Sequence, residues 1–553
     1  MRRLFTLLLA LMLLAACTSL PTEGPVNATR APTGTNQTVG FHAAGPREGS
    51  TPEEIVQGFL TASAAGLSDD FEVARQYLSP RASELWRPLE VVRIYSDSRP
   101  PVTTRTDTEA VRLNLGSEGS LLQNGRFEAS RPDAVITTEF SLARNADGEW
   151  RIIDLDNGLL MSSTLFESQY SQAVLHFLTS DSQYLVPDLR WFPQNTYATF
   201  AARELFLGPS PWLADAVRTA IPPGTALGSR GITISGGTAA VSLNDEVLSV
   251  TGYQRALFST QVEETLTLLP NVQNVELLVE GTPWEVGQTA DLSPYPLGDP
   301  RLIVNVGGRP SLYRDGSAVS LRMSDVPEDV ESLAVGYGDD SSIVGISGDS
   351  LITLPNSGAA PVTLLQGPGV VRPSVDIYDW VWSGTADRPG VLTAFKDGER
   401  VDLAVLLPRG GGTIDSVHVS REGARAIIVW RSETAVYMSA VAIIRGGDGA
   451  PAAIGEPIEI GAGLEQILDV AWIDETTVAA LATLPGGTSP GIYSVPIGGS
   501  ITAITEVNGA VSITAGAGER SLILATENGQ VLERSGGGWR LLLTDGSSPA
   551  LSG

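Results

Sequence analysis

The hydrophobic positions change period along the chain, and each change marks a boundary. A predominantly apolar run from Leu4 to Ala16 directly follows Arg2 and Arg3. It is too short to cross a hydrocarbon core, which takes roughly 20 helical residues, and it has the form of a signal segment that is removed. From 18 to 49, Thr, Pro, Gly, Ala and Asn dominate with no apolar period, which predicts a flexible tether. Helical spacing begins sharply at Thr51-Pro52-Glu53-Glu54, where a threonine N-cap, a proline at N1 and a glutamate at N3 precede Ile55, Val56, Phe59 and Leu60. A second helix carrying Phe71, Ala74, Tyr77 and Leu78 is predicted to stop before Pro80. Period-two segments follow at 91–95, 110–115, 134–142 and 150–155, the last two joined by an Asp147-Gly148 turn. Helices followed by an antiparallel curved sheet predict a small α+β domain over 50–168.

A second α+β unit is predicted over 169–290. Strands are expected at 172–177 and 185–192, and a helix at 199–207 ended by Gly208-Pro209. A further helix is expected at 211–221, ended by Pro222-Pro223-Gly224, then a hairpin at 231–235 and 238–243. A long amphipathic helix at 252–269 and a strand at 275–279 complete the unit. The first unit has the order of cystatin-like or NTF2-like folds. The words VPDLRWF, AARELFLGPSPWLADAVRTAIPPGTAL, AAVSLNDEV and ETLTLLPNVQNVELLVEG make about 171–287 resemble the GerMN domain.

Beyond 300 no helical period remains. Segments that pass from an apolar strand through a Gly/Asp turn into a second strand recur at 332–346, 375–395, 416–429, 468–481 and 511–525. Taking Val375, Val417, Val470 and Val511 as equivalent gives intervals of 42, 53 and 41 residues, by subtraction of their numbers. Periods of about 40–50 residues with four strands each are those of propeller blades, so 300–553 is predicted to be a β-propeller. An elongated series of β-sandwiches is the alternative. The segments at 302–306 and 311–314 are expected to pair with Trp539–Leu543 and close the ring, which removes exposed edges. Ser420-Arg421-Glu422-Gly423-Ala424-Arg425 is the most regular blade turn. The fold class is therefore multidomain: two small α+β domains followed by an all-β propeller-like domain.

Composition sharpens the start of the chain. Cys17 is the only cysteine and ends Leu14-Ala15-Ala16-Cys17 directly after the apolar run. Small residues before a thiol at that place read as a lipoprotein processing site: residues 1–16 are a signal peptide, and Cys17 is the S-diacylglycerol and N-acyl attachment point. The mature chain then begins at Cys17, its tether covers 17–49, and it is held on the extracytoplasmic face of the cell membrane. An ordinary secretory signal cut near Ala16 is the alternative. No disulfide is available beyond it. Acids outnumber bases 63 to 36 for a formal charge of −27, which opposes nucleic acid as a partner. Lys396 is the only lysine, which removes a P-loop lysine from consideration.

Catalytic chemistry is sparse. His42, His176 and His418 fall in the tether, an apolar strand and a blade turn, and they suggest neither a zinc site nor a triad. Gly487-Thr488-Ser489-Pro490-Gly491 has the letters of a nucleophile elbow, but Pro490 lacks the N–H that must meet the oxyanion. Gly516-Ala517-Gly518 begins like a dinucleotide fingerprint but sits between predicted strands, with Ser521 where a third glycine belongs. No cofactor, metal or catalytic residue is expected. A carboxylate pair acting on envelope glycan stays open as the alternative class.

The whole arrangement, with TPEEIVQGFLTASA and EWRIIDLDNGLLMS in the first domain, resembles the actinobacterial lipoprotein family LpqB. The resemblance implies a membrane-anchored accessory protein that touches the extracytoplasmic domain of the sensor histidine kinase MtrB and modulates the MtrA–MtrB system. It implies no catalytic residues. An envelope glycan- or lipid-binding protein, or a hydrolase, is the alternative function.

Overall fold

The computed structural model describes residues 43–552, apart from 108, 286, 288, 289, 294, 298–300, 326, 328, 339 and 340. Cys17 and His42 lie outside the described residues.

The first domain starts where its cap predicts. Thr51 accepts from Glu54 N at 3.3 Å, and Glu54 Oε2 accepts from Thr51 N at 2.8 Å, closing a capping box on the helix Pro52–Ala65. Ile55, Val56 and Phe59 on that helix are buried. They cover a seven-stranded sheet whose strands run, in order, Trp150–Asp154, Val135–Arg144, Ala110–Leu122, Val91–Tyr95 and Leu159–Ser162. Val102–Asp107 and Phe127–Ala129 also pair with Ala110–Leu122. The helix expected to end at Pro80 is a single turn, Glu72–Arg75; Pro80 instead opens a short helix, Pro80–Leu85, with Ser79 as its cap. Proline at N1 starts helices as readily as it stops them, and Ser79 decided which.

The second domain pairs strands Tyr170–Leu178 and Leu185–Pro193, and builds a four-stranded sheet from Leu227–Ser235, Thr238–Leu243, Asn274–Val279 and Thr282–Pro283. The helices Tyr197–Leu207 and Tyr253–Leu266 share its core. The helix expected at 211–221 does not form; that segment is a run of turns. Asp188 captures both the backbone N and the hydroxyl of Ser210 at 2.8 and 2.9 Å, and Arg218 exchanges two backbone hydrogen bonds with Leu178. Trp212, Leu213 and Ala216 have helical spacing because they pack against the third domain, where they join Ile427 and Val429.

Among the described residues the third domain is a propeller of six blades; the strand repeats predicted a propeller but not its blade number. Four of the five recurring segments are the first two strands of blades 2, 4, 5 and 6, and 375–395 runs over the first three of blade 3; the inner strands of blades 2 to 6 are Val330–Val335, Ser374–Val375, Thr413–Val419, Glu465–Trp472 and Ala510–Thr514. Val511 itself is exposed, because a bulge between Ala510 and Ser512 shifts the register there. The ring closes differently from the expectation. Gly538–Leu543 is the outer strand of blade 6, and Gly546–Ala550 supplies the inner strand of blade 1, pairing antiparallel with Leu302–Val306. The inner strands touch in an unbroken cycle, so closure leaves no free edge on the axis.

Candidate functional site

The three folded parts are tied together by buried arginines. Arg190, on the strand Leu185–Pro193, is 1% exposed and donates to Asp188 Oδ2 at 2.7 Å, Gly208 O at 2.8 Å and, in the first domain, Asn124 O at 3.3 Å. Glu204 lies 3.4 Å from the same guanidinium; burial raises its carboxyl above the usual range, against the pull of Arg190. Trp191 on the same strand donates from its indole to Gly498 O of blade 5 at 2.8 Å.

The regular turn Ser420–Arg425 makes the matching set of contacts from the propeller. Arg425 pairs with Glu422 at 2.7 Å, both being about 1% exposed or less, and reaches Pro187 O of the second domain at 3.3 Å and Glu475 O at 2.8 Å. Arg421 donates to Ser552 O and Ala515 O at 2.9 Å each and lies over the Tyr295 ring.

Between these seams opens a cleft of about 740 Å³ that draws one wall from each domain. Its walls are Arg126–Arg131 from the first, Pro187–Leu189 with Pro211 and Trp212 from the second, and Gly455–Ile460 with Pro496–Gly499 from the propeller. A second hollow of about 670 Å³ lies between Pro132 and blades 4 and 5, and Arg131 and Glu459 line both. Glu459 takes Arg131 at 3.1 Å on one oxygen and Arg409 at 2.6 Å on the other. Both guanidiniums lie about 5 Å from the Tyr437 ring, at 5.2 and 5.1 Å, and Tyr437 stacks on Trp430 with centroids 4.6 Å apart. Burial works against the charge on Arg131, but hydrogen bonds to Tyr437 and Glu459 outweigh it and hold its pKa above the usual value.

The cleft presents planar cations, ring faces and apolar walls. Of the wall carboxylates, Glu128, Glu459 and Asp188 are engaged, by Arg126, by two arginines, and by Arg190 with Ser210, while Asp215 and Glu456 also line the cleft. Among the described residues no group of three or more His, Cys, Asp or Glu could hold a metal ion. His176 is buried and meets Glu475 at 3.1 Å across the domain seam. His418, expected in a turn, is inside the strand Thr413–Val419 and faces the propeller axis. Ser489 lies in the loop between Thr477–Thr483 and Gly491–Pro496, and 516–518 lie in the loop between the first two strands of blade 6. The residues that meet in the cleft span positions 126 to 499, and their spacing gives no sequence signal beyond a proline beside Arg131 and another beside Arg409.

Comparison with known families accounts for most of the folded chain. Residues 45–167 match the model of the lipoprotein LpqB N-terminal domain, 174–285 that of a sporulation and spore germination domain, and 317–552 that of the lipoprotein LpqB beta-propeller domain. The chain belongs to the LpqB lipoprotein family. It is 27% identical to lipoprotein LpqB of Streptomyces avermitilis, over 98% of this chain and 96% of that one. It is 23% identical to the LpqB of Cutibacterium acnes over 98% of both. A solved structure, the first GerMN domain of the sporulation protein GerM from Bacillus subtilis, is 22% identical over 22% of this chain and 93% of that one, with a TM-score of 0.19. Among the described residues no helix is long and apolar enough to cross a membrane, so this LpqB-family chain carries no helical span there.

Proposed function

We propose that this protein is a lipid-anchored, extracytoplasmic, non-catalytic protein that binds the ectodomain of the MtrB sensor kinase and biases its output to MtrA. Acyl chains on Cys17 hold it to the membrane. At about 0.8 kcal/mol per buried methylene, several chains make a lasting anchor where one is marginal. Sharing a surface with the kinase raises the effective concentration of both, so a weak contact suffices. Differential affinity for the kinase's two states then shifts their balance.

The observation that carries this reading is the three-domain cleft, whose arginines and rings suit a protein surface and whose shape depends on all three domains staying seated. The test is titration of the purified kinase ectodomain with the Cys17→Ser chain. Binding at micromolar concentration that is weakened about tenfold, or ~1.4 kcal/mol, by Arg131→Ala with Arg409→Ala is expected. No binding in that range would count decisively against it.

A further inference from the structure

The propeller axis holds a second polar site, separate from the cleft. At the finishing ends of the inner strands the axis is closed. Arg421 reaches from blade 4 to Ala515 O after the inner strand of blade 6 and to Ser552 O after that of blade 1. Beneath it, Tyr295 donates to Gly516 O at 3.0 Å and Trp472 O at 3.3 Å. What remains is a blind pocket of about 120 Å³, lined by inner-strand residues of all six blades.

The lining is charged, and its charges balance. Arg372 of blade 3 crosses to blade 5, donating through one nitrogen, Nη1, to Leu468 O at 2.6 Å and to Asp469 Oδ1 at 3.4 Å. Asp469 is anchored by the backbone N–H groups of Val470 and Ile513 at 3.0 and 2.8 Å. His418 meets Ser416 at 3.0 Å, and the Ser512 hydroxyl, also in the lining, is buried without a hydrogen-bond partner. A buried polar atom left unpaired calls for an explanation.

The backbone around this lining is strained. Ser332 and Ser548, both in the lining, are non-glycine residues at φ of 50° and 49°. The inner strands of blades 2, 4, 5 and 6 break register between Glu331 and Ala334, Ile414 and Ser416, Glu465 and Asp469, and Ala510 and Ser512. Bulges re-aim side chains beside functional sites, and left-handed backbone at non-glycine residues persists where the surroundings hold it.

We propose that this axial pocket binds a small zwitterion, an α-amino acid the size of glycine or alanine, with its carboxylate on Arg372 and the Ser512 hydroxyl and its ammonium on Asp469. A cavity of about 150 Å³ takes benzene, so a pocket of this size admits about five or six heavy atoms. One guanidinium and one carboxylate side by side repel a simple anion or a simple cation about equally, and they complement a molecule carrying both charges.

The test is calorimetric titration of the full-length chain with glycine, L-alanine, acetate and methylammonium. Glycine or L-alanine should bind with a Kd below about 1 mM, a modest demand for so few atoms, and the two single-charge probes should bind at least about tenfold more weakly. Arg372→Gln and Ser512→Leu should each abolish the heat, the second by filling the pocket without touching the charges. Absence of heat with the amino acids, acetate binding as well as alanine, or unchanged binding in Ser512→Leu would each overturn the proposal. Kinase-ectodomain binding is a separate reading, so either result leaves the function proposed above to its own test.

Discussion

At the scale of single residues, the sequence exposes chemistry types but not partners. Ser420–Arg425 reads as a turn, and a turn it is, yet its work is done by two arginines whose acceptors lie far away in sequence at Pro187, Glu475 and Ser552. Arg425→Met would strand the carboxylate of Glu422, which is 0% exposed, and should cost about 3–5 kcal/mol in urea unfolding. Adding Glu422→Leu should recover part of that loss, since removing both charges removes the stranded one. His418 gives a pH dependence. Burial, with the Arg372 charge beside it, lowers its pKa from 6.5 to about 3. The unfolded chain therefore takes up this proton at a pH where the folded one does not. The contribution is intact above about pH 6.5 and is lost as pH falls toward 3. Between pH 7 and 5 the loss is at most about 2 kcal/mol, and His418→Gln should flatten that part of the denaturation profile.

Elements were legible where a local device fixes them. The Thr51 cap is one such device, and Thr51→Ala should lower stability by about 1 kcal/mol in thermal or urea unfolding. Where a segment's apolar spacing serves another domain, the local reading fails: Trp212, Leu213 and Ala216 imitate a helix face while packing on blades 4 and 5. Closure of the ring was legible as a need and not as a pairing, because Gly538–Leu543 and Gly546–Ala550 are adjacent and both suit a strand. Deleting 546–553 would bare the edge of Leu302–Val306 and remove the Ser552 acceptor of Arg421. Size-exclusion chromatography of that truncated chain should show self-association absent from the intact protein.

For the whole molecule, the order of α+β, α+β and propeller follows from period alone, whereas the cleft does not. It arises from side chains of three domains that meet only after each has folded, so no window of sequence contains it. Arg131→Ala with Arg409→Ala removes the groups around Tyr437 from partly exposed positions, with side chains 41% and 42% accessible, and should leave the melting temperature nearly unchanged while weakening ectodomain binding. At the other end of the chain, Cys17→Ser should move the protein from the membrane to the soluble fraction in cell fractionation; if it still sedimented with membranes as the unaltered chain does, the acyl anchor would be refuted.

The strand that shuts the propeller also sets a timetable. Leu302–Val306 is made long before Gly546–Ala550, and joining Ile303 to Ala550 closes a loop whose chain-entropy cost is about 5 kcal/mol. Blades 2 to 6 can assemble as they emerge, but blade 1 waits for its inner strand until the rest of the domain has been synthesised. The ring therefore cannot lock until synthesis of the domain is complete, when the Ser552 carbonyl also reaches Arg421.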